Sequence, residues 1–128
     1  MALRKLVIKD DPSDSRIGWR IYDGDTGTYD HDPDLNEGDE VQWTVEPASV
    51  KAYVAILDDS PFADANGVKI ENRVLEVNRV SPVVTVMSST KRPAKAYEYA
   101  VLVKGKKDKT IVYVRGAASP PGVVVGGP

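Results

Sequence analysis

The residues able to do chemistry in this chain are few, and they are grouped by charge rather than by motif. His31, the only histidine, stands in Tyr29-Asp30-His31-Asp32-Pro33, between two carboxylates. Such a setting can raise an imidazole to a useful base or supply one metal ligand. The chain has no second histidine and no cysteine, so no catalytic pair or ligand set forms around it, and an exposed loop histidine is expected. Asp23 and Asp25 open an acidic stretch that runs on through Asp30, Asp32 and Asp34. Oxygen donors at this density suit an irregular calcium site, with Asp23, Asp25 and Asp30 as its first ligands. An EF-hand does not fit, because its fifth, sixth and twelfth positions fall on Gly27, Thr28 and Asp34. A solvated loop is the competing reading. The pairs Asp10-Asp11 and Asp58-Asp59 would point apart in strands. Asp25-Thr26-Gly27 occurs once, in an expected loop, and no second copy follows an apolar run, which gives no support to a pepsin-like dyad. Nothing singles out a nucleophile with its base.

Charge is segregated along the chain. Between Arg20 and Lys51 there is no Lys or Arg, while Asp23, Asp25, Asp30, Asp32, Asp34, Glu37, Asp39, Glu40 and Glu46 all lie there. Between Arg79 and Arg115 the balance reverses, with Lys104, Lys106, Lys107 and Lys109 forming the densest basic turn. A chain with one acidic and one basic region can attract copies of itself head to tail. Two solubilising loops at different ends of one fold would give the same pattern. The formal net charge is −2, so no global field draws the chain to nucleic acid or to an anionic membrane. The basic turn also lacks the interleaved aromatics of a single-strand binder. The absence of cysteine excludes disulfides, thiolate metal sites and thiol nucleophiles, and fits a reducing compartment. No apolar run approaches the roughly 20 residues of a membrane helix. The opening residues have no signal-peptide pattern. The expectation is a cytoplasmic protein with no cofactor other than a possible calcium ion.

The elements that must position these residues read as strands. The segment 97–103, Tyr-Glu-Tyr-Ala-Val-Leu-Val, alternates large and small side chains without Gly or Pro, as a central strand does. In 40–45, Val41, Trp43 and Val45 fall on one face, with Gln42 and Thr44 on the other. Further strands are expected over 3–8, 17–22, 50–57, 68–77, 83–87 and 110–115, and a long surface loop from the turn at 23–27 to Asp39. Asn66-Gly67 is a hairpin signal, and 63–66 could form one helical turn. These segments predict a single all-β domain over 1–128: an antiparallel β-sandwich of about eight strands, cupredoxin- or immunoglobulin-like. A small closed barrel is the alternative. Residues 116–128 form a Pro/Gly-rich tail in which Gly122–Val125 would add a short edge strand.

Two resemblances follow from specific residues. Gly38-Asp39-Glu40-Val41-Gln42-Trp43 resembles the Gly-Asp-x-Val-x-Trp opening of cupredoxin-like sandwiches. A type 1 copper centre is excluded, since it needs two histidines and usually a cysteine. The tail, Ser119-Pro120-Pro121-Gly122-Val123-Val124-Val125-Gly126-Gly127-Pro128, resembles the C-terminal signature of the small DP-EP family, roughly Asp-Pro-x-Ile-Ile-Val-x-Pro after a Tyr-rich strand. Tyr97-Glu98-Tyr99-Ala100-Val101 would be that strand. The family resemblance implies a β-sandwich linked with self-cleaving, aspartic-type chemistry, in which an Asp carboxyl attacks its own peptide bond to proline. A lysine, here Lys95 or Lys104, could then intercept the acyl group. Pro120 stands where the Asp would be, so the resemblance implies a fold relative that has lost the reaction.

The functional expectation is a non-enzymatic structural or interaction module. It would self-associate through Gly122, Val123, Val124 and Val125 and through its opposed charge regions, with Lys104, Lys106, Lys107 and Lys109 as the basic contact. The alternatives are a self-processing aspartic-peptidase-like protein and a calcium-dependent binding module.

Overall fold

In a computed structural model, the described residues are 3–10, 19–27, 34–46, 50–57, 60–87, 95–104, 111–113 and 122–125. They hold twelve strands and no helix. The first sheet has five strands in the order β2-β1-β4-β8-β6. These are β1 (Leu3–Asp10), β2 (Trp19–Asp23), β4 (Glu40–Glu46), β6 (Phe62–Ala63) and β8 (Val84–Val86). The second has four, β11-β10-β5-β7, formed by β5 (Lys51–Ile56), β7 (Arg73–Val77), β10 (Ala100–Lys104) and β11 (Ile111–Tyr113). The third has three, β3-β12-β9, formed by β3 (Asp34–Leu35), β9 (Lys95–Glu98) and β12 (Gly122–Val125).

Alternation decides which side chains go inside. In β4, Val41, Trp43 and Val45 are buried while Gln42 and Thr44 are half-buried on the other face. In β5, Ala52, Val54 and Ile56 are buried, and in β10, Val101 and Val103. One hydrophobic cluster draws on both larger sheets. Leu6, Ile8, Ile21, Val84 and Phe62 come from the first, and Ala52, Val54, Leu75, Val77 and Val101 from the second. At its centre Trp43 meets Phe62 edge-on at 5.6 Å and Tyr99 at 5.4 Å, and its Nε1–H donates to the Tyr99 hydroxyl at 3.2 Å. The hydrogen bond satisfies an indole N–H that burial would otherwise leave without water.

Several expectations are corrected. Pairing is not purely antiparallel: β1 runs parallel to β4 and β12 parallel to β3. The strand expected over 97–103 is two strands, β9 in the third sheet and β10 in the second, with buried Tyr99 between them at the change of sheet. Its alternation continues through the break, which is why periodicity alone shows one strand. The strand expected over 68–77 begins only at Arg73, because Asn72 sits at φ 52° and interrupts the extended backbone. No helical turn forms at 63–66. Phe62–Ala63 is a strand, and the Asp64 carboxylate accepts from the N–H groups of Asn66 (2.9 Å) and Val68 (3.0 Å). Gly67 at φ 79° completes that turn. The surface loop expected up to Asp39 contains β3, whose Leu35 is 1% exposed.

The second and first sheets join where the chain leaves β7. Arg79, at φ 68°, turns it, and Ser81 then packs under Trp43. The Ser81 hydroxyl accepts from the Trp43 backbone N–H at 2.9 Å and donates to the Pro82 carbonyl at 2.9 Å, while the Ser81 N–H donates to the Trp43 carbonyl at 2.8 Å. Ser81→Ala removes the hydroxyl that accepts the buried Trp43 N–H, which costs about 1–3 kcal/mol. Urea unfolding will show a lower midpoint at an unchanged slope.

Candidate strand-exchange site

The site that the structure assembles is the place of β12 between β3 and β9. The tail strand, expected at an edge, is instead the middle strand of the third sheet. Val124 and Val125 lie opposite Asp34 and Leu35 on the parallel side. Gly122, Val123, Val124 and Val125 lie opposite Glu98, Tyr97, Ala96 and Lys95 on the antiparallel side. Backbone pairing on both flanks satisfies main-chain groups that an extended strand cannot satisfy within itself.

Each rail is held from the core side. On β3, Leu35 belongs to the hydrophobic cluster, and the Arg4 guanidinium on β1 donates to the Asp34 carbonyl at 2.9 Å. The same guanidinium lies 3.6 Å from the Asp23 carboxylate. After β3, the carboxylate of buried Asp39 accepts from the Asn36 N–H at 2.9 Å and closes the turn into β4. On the other rail, Tyr97 packs against the core and Tyr99 follows in its centre. The rails are therefore parts of the folded body, and β12 reaches them from β11 through residues 114–121.

Among the described residues, the other sequence candidates are not gathered into a site. The Asp23 Oδ1 accepts from the N–H groups of Asp25 (2.8 Å) and Thr26 (3.2 Å) and builds a turn, while Oδ2 faces Arg4. Asp25 is exposed. Among the described residues, no group of three or more His, Asp or Glu side chains is placed to hold a metal. Asp30, Asp32 and His31 lie outside the described residues, as do Lys106, Lys107 and Lys109. Lys104 ends β10, exposed, directly opposite Lys51. Lys51 pairs with Glu76, whose hydrogen bond and charge hold the ammonium pKa above its ordinary value. The buried polar residues among those described are Asp39, Ser60 and Ser81. Ser60 accepts from the Phe62 N–H at 3.0 Å. All three serve turns or backbone groups, and none is a lysine.

Sequence reading missed β3 and Arg4 as parts of this site. The one signal available was Leu35, a lone large apolar residue in an otherwise acidic, turn-rich stretch. No family model matches the chain, and no curated protein matches it closely enough in sequence to count as a relative. Among the described residues, no helix is long and apolar enough to cross a membrane.

Proposed function

We propose that the chain is a β-sandwich interaction module, not an enzyme, that associates with copies of itself by exchanging its C-terminal strand. The sandwich reading is supported by the single core shared between the inward faces of the five- and four-stranded sheets. The exchange reading is carried by one observation: β12 lies between two rails that belong to the body of the fold, while residues 114–121 separate it in sequence from β11. A copy's β12 finds the same ladder on the same rails, because the rails cannot distinguish its origin. Eight linker residues, 114–121, span at most about 29 Å when extended. Self-docking is favoured in dilute solution by the high effective concentration of a tethered strand. Exchange takes over as chain concentration rises, and a contact passed from copy to copy gives a ring or an open filament. The tail's likeness to the DP-EP signature fits a fold relative in which Pro120 has replaced the reactive carboxylate.

Deletion of 122–128 tests this, read by size-exclusion chromatography and negative-stain microscopy after incubation at high concentration. The full chain will form slowly interconverting oligomers that the deleted chain does not. The deleted chain will also bind a synthetic peptide of residues 119–128 and regain thermal stability. Unchanged oligomeric state and unchanged stability on deletion would overturn the reading.

A further inference from the structure

The three valines of β12 are alike, yet the positions they occupy are not. Position 123 lies opposite Tyr97 on β9, and position 125 lies opposite Leu35 on β3. Tyr97 packs against the hydrophobic core, and buried Leu35 belongs to it. Residues directly opposite in neighbouring strands share a face of the sheet, and residues two apart in one strand share a face. The two rails therefore agree: positions 123 and 125 stand on the core side of the third sheet. Position 124 lies opposite Asp34, which is exposed, and stands on the other side.

The tail's own sequence makes this assignment exclusive. It reads Pro121-Gly122-Val123-Val124-Val125-Gly126-Gly127. A one-residue slip exchanges the two faces of a strand. Slid one residue one way, the tail puts Gly126 opposite Leu35; slid the other way, it puts Gly122 opposite Tyr97. Slid by two, it puts Gly127 opposite Leu35 or Pro121 opposite Tyr97. Glycine brings no side chain to cover a core residue, and it weakens a strand. Proline removes a ladder donor. Only one register sets valine at both core-side positions. A run of four valines would allow two.

We propose that Leu35 and Tyr97 are the specificity-determining residues of the strand site, and that Gly122 and Gly126 fix the register of the strand that fills it. The site takes an extended segment that runs parallel to β3 and antiparallel to β9. That segment carries β-branched apolar residues at two alternate positions, with glycine flanking the run. The occupant is β12, from the same chain or from a copy. The inference rests on β12 filling these rails, as the proposed function does, but it does not need exchange between chains. A donated strand meets the same two positions as the chain's own and docks in the same register. Weakly specified strands slip, and the glycine brackets remove that freedom from a run of identical residues.

Amide hydrogen exchange on the dilute full chain tests it, with lysine placed at each position in turn. Val123→Lys and Val125→Lys put a charge on the core side and will lower protection at 34–35 and 95–98 by about tenfold or more. Val124→Lys will change it by less than about threefold, as substitutions at exposed positions do. Protection at 52–56 will hold in all three, showing that the body stays folded. Register is read by cysteine pairs, since the chain has no cysteine of its own. In a glutathione redox buffer, Ala96→Cys with Val124→Cys, at directly opposite positions, will close an intrachain disulfide. Ala96→Cys with Val125→Cys will not, until Gly126→Val opens the second register. The inference fails if the three lysines act alike, if the Val125 pair closes without the change at Gly126, or if that change does not make it close. These readouts belong to the monomer. The expected pattern without oligomers at high concentration would sink strand exchange and leave the register reading standing. Oligomers formed alongside equal lysine effects would do the reverse.

Discussion

Trp43→Ala lowers the thermal midpoint by about 10–15 °C, more than any other single core truncation in this chain. The reason lies in how much converges on one side chain. Trp43 is 0% exposed and packs edge-on against both Phe62 and Tyr99. Truncating a buried tryptophan costs about 3–5 kcal/mol, from lost burial and from the cavity left behind. Domains of this size are stable by only about 5–15 kcal/mol in total, and each kcal/mol moves the midpoint by a few degrees. The substitution also leaves the Tyr99 hydroxyl without the Trp43 indole N–H it accepts. Two companions separate these contributions. Tyr99→Phe keeps both rings and strands the indole N–H, costing about 1–3 kcal/mol. Trp43→Phe removes the indole donor but keeps an aromatic ring in the core, and costs less than alanine. Differential scanning calorimetry on the three variants checks the order. A midpoint change of only a few degrees for Trp43→Ala would show that the core is not centred there.

Val124→Pro releases β12 and abolishes association through it. Val124 lies opposite Asp34 on one side and Ala96 on the other. Proline removes a ladder donor, fixes φ near −65°, and is confined in sheets to edges and bulges. In a middle strand the damage reaches both neighbours. Ladder hydrogen bonds contribute about 1 kcal/mol each on net, so losing the four-residue strand costs roughly 4 kcal/mol at most. Amide hydrogen exchange gives the sharpest check, because protection at 34–35 and at 95–98 will fall together while 52–56 stays protected. Val124→Thr keeps a β-branched side chain and the N–H and will behave as wild type. If protection on both rails survives the proline, β12 does not close this sheet, and the exchange reading goes with it.

Alternation carried most of the fold. Side chains in a strand alternate faces by covalent geometry, so Val41, Trp43 and Val45, or Val101 and Val103, declare a buried face with no tertiary information, and an all-β class follows. Periodicity does not say which strands are neighbours. The parallel pairing of β1 with β4 joins residues more than thirty positions apart, and no local preference encodes it. The change of sheet at Tyr99 was hidden because the inward–outward pattern continues through it. β3 was hidden because two residues are too few to show a period.

The sequence by itself determined that this is a β protein, without cysteine and with a single histidine, whose charges are separated along the chain and whose tail can form a strand. Those properties depend on residue identity and on near-neighbour spacing. Tertiary structure alone decided that the tail is a middle strand held between β3 and β9, and that Arg4 braces one rail. Each of these depends on which distant backbone segments exchange hydrogen bonds, and the free energy that selects such partners is summed over the whole core rather than written into any one stretch.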